Sequence, residues 1–467
     1  MDPRARTLNH APLRRGGEYV LYWAQANRRV EANHALLYAA EAANRLGLPL
    51  VYYEFLTCDY PYANDRLHTF ILEGVPETAR SLRAAGAGHV FHLRRSLREP
   101  LDSLRQMAAK AALVVTDDFP TFVARRHNET IPGALDVSCV AVDASCIVPM
   151  QLLEKREWAA YTIRPKIQRL LPQHLKPLPP LHLAHRWRST PPSFHTEVTA
   201  RRISSLVAEC EIDHRVAPSL SFRGGRAAAE KHLRHFLEHN LRRYASGRNQ
   251  PSEHATSNMS PYLHFGHICA LEIALAVRRH AEEHKLMADE YLEELIVRRE
   301  LSFNFAFHTR DYASLRALPE WARRTLREHA ADQRSPCYSR EEFEQARTHD
   351  ALWNATQKEL LLRGKIHGYY RMYWGKKVIE WSSTVQDALE TMIYLHDRYA
   401  LDGRDPNTYA NILWLFGLHD RPWGERPVFG KVRYISLEGM KRKTNVDAYI
   451  REIEDLERTG RDPFRIE

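Results

Sequence analysis

Between residues 172 and 192 the chain reads PQHLKPLPPLHLAHRWRSTPP. Prolines at this density lack amide donors and clash with the preceding turn, so they forbid regular helix and favour an extended connector. The stretch divides the 467-residue chain into two parts, each long enough for its own core. Their hydrophobic patterns differ. Ahead of it, apolar runs at 19–23, 48–55, 89–93, 113–116 and 139–143 alternate with helical patterns such as 32–46 and 65–85. This alternation argues for an α/β domain built on a doubly wound, parallel, five-stranded sheet. From Gly225 onward nearly every segment has a helical period, for example 227–243 and 288–305, so the second domain is expected to be all-α. The expected division is a flexible tail over 1–17, an α/β domain over 18–171, a linker over 172–224 and a helical domain over 225–467.

Several function classes fall away. No G-x-G-x-x-G follows the first strand, which removes a dinucleotide site of that kind. The six cysteines, Cys58, Cys139, Cys146, Cys210, Cys269 and Cys337, contain no C-x-x-C pair, so neither a disulfide scaffold nor a zinc site is indicated, and no metal is expected. Only three lie beyond residue 200, one short of the four thiolates of an all-cysteine iron–sulfur cluster. No apolar run is long enough for a membrane span, and residues 1–17 are polar and Arg-rich, unlike a secretory leader. A cytoplasmic location is expected. The net charge of +9 favours a polyanion such as nucleic acid, although a solvated cationic face gives the same number.

Three segments of the helical part carry chemistry. Residues 256–266, TSNMSPYLHFG, open a helix with hydroxyls and free N–H groups, which suits either a phosphate or plain capping. Residues 348–381 place Trp374 and Trp381 seven apart, on one helix face and about 10 Å apart along the axis. On spacing alone a packed aromatic seam is the better reading, with an electron path as the alternative. Residues 401–407 and 417–434 are loops punctuated by Gly and Pro. Taken alone, Asp402 reads as a turn aspartate, Arg371 and Glu294 as solvated helix charges, and Arg421 and Arg433 as surface arginines.

These segments closely resemble class II photolyases, which repair cyclobutane pyrimidine dimers, within the photolyase/cryptochrome superfamily. With residues 22–36, 142–149 and 164–167 the resemblance covers nearly the whole chain. It implies FAD held by Tyr244, Thr256, Ser257, Met259 and Ser260, with Arg371 and Asp402 bracketing the isoalloxazine. It implies a relay of Trp353, Trp374 and Trp381, whose order the sequence does not give. Glu294 matches the acid that contacts the dimer, and Met372 and Trp414 match the pocket lining. Arg248, Arg421 and Arg433 match arginines that touch DNA, and Trp423 matches a residue near the space the flipped dimer vacates.

The implied activity is that of a lyase: light-dependent repair by electron transfer from excited, reduced FAD to a flipped-out dimer. The implied partner is double-stranded DNA containing pyrimidine dimers, bound by a monomer, with no membrane involved. The sheet domain holds an antenna pigment, such as a deazaflavin, or nothing. In one place the chain departs from the pattern. Class II members usually read leucine-asparagine-aspartate where this chain has Leu395-His396-Asp397, and that asparagine faces flavin N5. An imidazole titrating near 6.5 at this position couples flavin protonation to pH, or else it has turned away and packs elsewhere. His396 and the retained relay also fit an alternative, a blue-light-sensing flavoprotein of the cryptochrome kind. Against that stands a chain ending at residue 467 without an extended tail. A basic DNA-binding module without cofactor is the third reading, and it predicts a colourless protein.

Overall fold

Strand β2 (Tyr19–Ala24) is buried along its whole length. It reads as an unbroken apolar run because helices cover both faces of the sheet it centres. The structure, a computed structural model, describes residues 2–462 and 465–466. On one side of β2 lie β3 (Leu50–Thr57) and then β4 (Gly88–Arg94); on the other lie β5 (Ala111–Asp117) and then β6 (Cys139–Val142), all parallel. The chain therefore reverses its winding between β2 and β5, and a crevice opens there beyond the carboxyl ends of the strands.

A sixth strand, β1 (Ala5–Thr7), runs antiparallel to β6 at the sheet edge, pairing Ala5 with Val142. This corrects the expectation of a flexible tail over residues 1–17. Arg4 is buried, and its guanidinium donates to the carbonyls of Asp143, Cys146 and Ile147 at 3.1, 2.8 and 2.5 Å. The tail is ordered by partners more than a hundred residues away, which a local pattern does not register.

Helix Ala160–His174 runs through Pro165 and Pro172, two residues past the expected start of the linker. Residues 175–199 contain no regular element. They still adhere to the sheet domain: Trp187 N–H donates to Gly86 O at 2.9 Å and Thr196 N–H to Phe91 O at 2.7 Å. A short helix, Ile203–Ala208, lies within the segment 172–224.

Beyond Val142 the described residues form helices and loops, with two isolated bridges, Arg426 to Gly430 and Asp213 back to Asn64. The two long helical patterns are each interrupted by a π-helical turn, Phe236–Asn240 in the first and Glu293–Arg298 in the second. Such turns insert a residue, rotate the faces on either side, and recur at functional sites. The second carries Glu294.

The two parts share one core. Phe70, in the Asp65–Ala85 helix beneath the sheet, packs its ring 5.6 Å from Tyr262 and 5.1 Å from Phe265 of the helical part. Polar clamps cross the same boundary. Buried Glu300 accepts from the N–H groups of Ile147 and Val148 at 2.6 and 3.2 Å. Gly266 turns at φ +67 against the end of β2, where an added Cβ would lie 2.2 Å from Ala26 O, so only glycine fits. Arg66 is 2% exposed and donates to the carbonyls of Ala217, Leu360, Leu361 and Tyr399. Three of these lie in the last turns of helices Ala351–Arg363 and Val385–Tyr399, so one arginine of the first part satisfies orphan carbonyls of two helices of the second.

Arg66→Met, which keeps the packing volume and removes the donors, is expected to lower the unfolding free energy by about 3 kcal/mol, read as a lower urea midpoint.

Candidate functional site

Helix Gly368–Trp381 is aromatic on almost every side and buried on most of them, so its few polar groups face partners rather than water. Near its start, Arg371 Nη2 lies 3.1 Å from both carboxylate oxygens of Asp402, in the loop after helix Val385–Tyr399. Asp402 also accepts from Ser260 Oγ at 2.7 Å. Burial alone would push this carboxyl up; the cations Arg371 and Lys365 and the Ser260 hydroxyl outweigh it and hold the group well below the usual carboxylate range. Arg371 Nε has no partner in the protein.

This pair sits beside a cavity of about 500 Å³, within the range of cofactor sites. Its wall gathers Tyr244, Thr256, Glu294, Arg371, Met372, His396 and Trp414 from six separate segments. Ser257 lines an adjoining cavity of about 220 Å³, which shares Thr256. Met259 is buried in the hydrophobic core and Ser260 engages Asp402; neither side chain lines these cavities.

A continuous path of rings leads away from the cavity. His396 meets Trp374 edge-on, with centroids 5.1 Å apart. Trp374 stacks on Trp353 at 6.0 Å and 7° between planes, and Trp353 meets Trp381 at 6.4 Å. Trp353, from the neighbouring helix Ala351–Arg363, thus stands between the two tryptophans that share a helix face. The order is Trp374, Trp353, Trp381. Hydrogen bonds fix the inner two: Trp353 Nε1 donates to Trp374 O and Trp374 Nε1 to Gln357 Oε1, each at 3.0 Å. The path continues to partly exposed Tyr338, 5.8 Å from Trp381.

At the mouth, aromatic and cationic groups alternate. Arg433 lies 5.3 Å from the centre of the Trp414 ring and 4.1 Å from that of Trp423, and Arg421 covers Trp423 at 4.9 Å. Trp423 is 38% exposed, although a ring of this size is normally covered. Asp420 orients Arg433 through bonds of 2.9 and 3.1 Å. Glu294 and Arg248, which both line the cavity, pair with each other at 2.9 Å.

The structure adds residues that the sequence reading does not single out: Tyr338, His367 in the cavity wall, and Lys376. Lys376 is fully buried, donates to Leu415 O at 2.6 Å and lies 5.6 Å from the Trp414 ring. Burial pushes its ammonium down to about 7, against the pull of Asp420. A lysine in a helix with no solvent face was the available signal. His396 corrects the expectation of an imidazole titrating near 6.5. Burial first, and Arg371 second, push it down to about 3, so it is neutral at physiological pH. A second crevice, about 90 Å³, lies at the strand ends between β2 and β5, with walls including Trp23, Phe55, Phe122 and His127.

A Synechocystis cryptochrome superposes on this structure with a TM-score of 0.67 at 16% identity, covering 96% of this chain and 90% of that one. A photolyase from Sulfolobus tokodaii, solved with two FAD molecules, gives a TM-score of 0.63 at 16% identity, covering 94% and 91%. The fold is that of photolyases and cryptochromes. Residues 20–182 match the family model for DNA photolyase. A deoxyribodipyrimidine photo-lyase from Methanothermobacter thermautotrophicus is 41% identical over 454 residues, which are 97% of this chain and 98% of the relative. The chain belongs to the DNA photolyase family.

Because the folded-state pKa of Asp402 is depressed, its contribution to stability is present above the unfolded value near 3.9 and is lost as pH falls through the folded value. Asp402→Asn is expected to lower stability by about 3 kcal/mol at pH 7 by leaving Arg371 without its counter-charge. Urea titrations of both proteins should show the gap narrowing below about pH 4.

Proposed function

We propose that this chain repairs cyclobutane pyrimidine dimers in DNA under light, with FAD in the 500 Å³ cavity. One observation carries the reading: a cofactor-sized cavity that has a buried Arg371–Asp402 pair at its side and an unbroken ring path behind His396. The unpartnered nitrogens of Arg371, His367 and His396 fit a ligand rich in hydrogen-bonding edges. Tyr244, Thr256, Arg371 and His396 would hold the flavin, and Ser257, in the adjoining cavity, would reach the rest of the dinucleotide. Ser260 would act by holding Asp402, and Met259 by packing the loop that presents these hydroxyls.

When bound, FAD supplies light absorption and the single electron that splits the dimer. The chain's own residues do the rest. Arg371, oriented by Asp402, places fixed positive charge beside the flavin, favouring an electron-rich form. Trp374, Trp353 and Trp381 carry electrons inward from the surface at Tyr338. Met372 and Trp414 offer the flipped dimer flat apolar walls, and Glu294 offers it a hydrogen-bonding carboxyl. Arg248, released from Glu294, would move to a DNA phosphate, while Arg421, Trp423 and Arg433 would fill and neutralise the opened duplex. A deazaflavin-type antenna is proposed for the crevice between β2 and β5, whose aromatic walls suit a flat pigment. At about 90 Å³ that crevice must widen to admit one.

The test is recovery of thymine absorbance in dimer-containing DNA mixed with reduced protein and illuminated; no recovery with flavin bound overturns the reading. That outcome would favour a blue-light sensor of the cryptochrome kind, a reading supported by His396 and the ring path.

Trp353→Phe is expected to abolish photoreduction of oxidised protein, followed by flavin absorbance, while chemically reduced Trp353→Phe still repairs. Glu294→Ala is expected to weaken binding to dimer-containing DNA by about tenfold and to leave affinity for undamaged DNA unchanged, measured by titration of labelled duplexes.

A further inference from the structure

Two imidazoles in the cavity wall are locked in opposite tautomers by their backbone partners. His367 Nδ1 lies 3.2 Å from the N–H of Tyr369, which can only donate, so that nitrogen is bare. His396 Nδ1 lies 3.0 Å from the carbonyl oxygen of Met392, which can only accept, so that nitrogen carries hydrogen. Both rings line the cavity, and both Nε2 atoms are buried without a partner in the protein. The charged groups facing His396 are Arg371, which opposes protonation, and Asp402, which favours it; burial exceeds both, and the ring is neutral. Burial does the same for His367, with Lys365, His254 and Arg371 adding to it. A neutral imidazole with hydrogen on one nitrogen accepts at the other. His396 Nε2 is therefore an acceptor and His367 Nε2 a donor, and the Trp374 ring against His396 hinders a flip that would reverse the first.

We infer that His396 offers the cavity's occupant a fixed acceptor and thereby selects a flavin edge that bears an N–H. This rests on the flavin reading above. Reduced flavin carries hydrogen at N5, whereas oxidised flavin carries a lone pair there, which would face the lone pair of Nε2 unpaired. An asparagine amide can turn to present either its oxygen or its NH2 group and so serves both states. His396 is thus a positioning residue that biases this chain toward the reduced cofactor, without taking up a proton itself.

The test uses holoprotein labelled with ¹⁵N-histidine, with His396 assigned from the spectrum of His396→Asn. Protonated Nδ1 and bare Nε2 at His396, unchanged between about pH 5 and 8, are expected, with the reverse tautomer at His367. Hydrogen on His396 Nε2, or titration in that range, overturns the inference. A second measurement compares dissociation constants for oxidised and dithionite-reduced FAD. His396→Asn should improve the relative affinity for oxidised FAD by about tenfold, since an unmet buried acceptor costs on this order. An unchanged ratio overturns the selection. Purified protein that binds no flavin contradicts the proposed function, and the selection of a flavin edge falls with it, while the tautomers read on that sample still show whether His396 presents a fixed acceptor.

Discussion

The Arg371–Asp402 ion pair holds the functional half of the molecule in register. A buried carboxylate is tolerated only when its charge is met, and here a guanidinium and a serine hydroxyl meet it at 3.1 and 2.7 Å. The three partners come from the Gly368–Trp381 helix, from the loop after Val385–Tyr399, and from the start of helix Ser260–His264. Met372 follows Arg371 directly, Trp374 lies one turn on, and His396 precedes the Asp402 loop. Fixing one charge pair therefore fixes the cavity wall and the inner end of the ring path together.

Outward from that pair the environment changes in steps. At Trp353 and Trp374 it is dry and fully buried, with indole N–H groups spent on internal acceptors. Around Trp414 a buried lysine and Arg433 lie near the ring. At Trp423 the ring is flanked by two arginines and exposed. A polyanion approaching this rim meets cations that are already oriented, Arg433 by Asp420 and Arg248 by Glu294. Of the two pairs, Arg248–Glu294 is the more exposed and so the more weakly held, whereas the Asp420 carboxylate that orients Arg433 is nearly buried.

Periodicity made the five parallel strands and the helical second part legible, since each strand is a short apolar run and each helix repeats at 3.6 residues. β1 was not legible, because Ala5–Thr7 carries no pattern of its own and is placed by β6 and by Arg4. Nor were the π turns, which alter backbone bonding without changing composition. The residues of the candidate site were found through resemblance to a known family; spacing alone left Asp402 a turn residue and Glu294 a surface charge. What only coordinates provide is order and orientation: Trp353 between Trp374 and Trp381, Met259 turned into the core, and His396 neutral with one nitrogen fixed to Met392 O. Each of these depends on contacts between segments far apart in sequence.

The central claim is that the cavity beside Arg371 and Asp402 is a flavin site. A crystal structure of the purified protein tests it most directly. The account predicts density for an isoalloxazine in the cavity, with Arg371 on one edge and His396 Nε2 within hydrogen-bond distance of N5. A cavity filled by water alone in protein grown and purified with FAD, or flavin bound elsewhere on the chain, would contradict it.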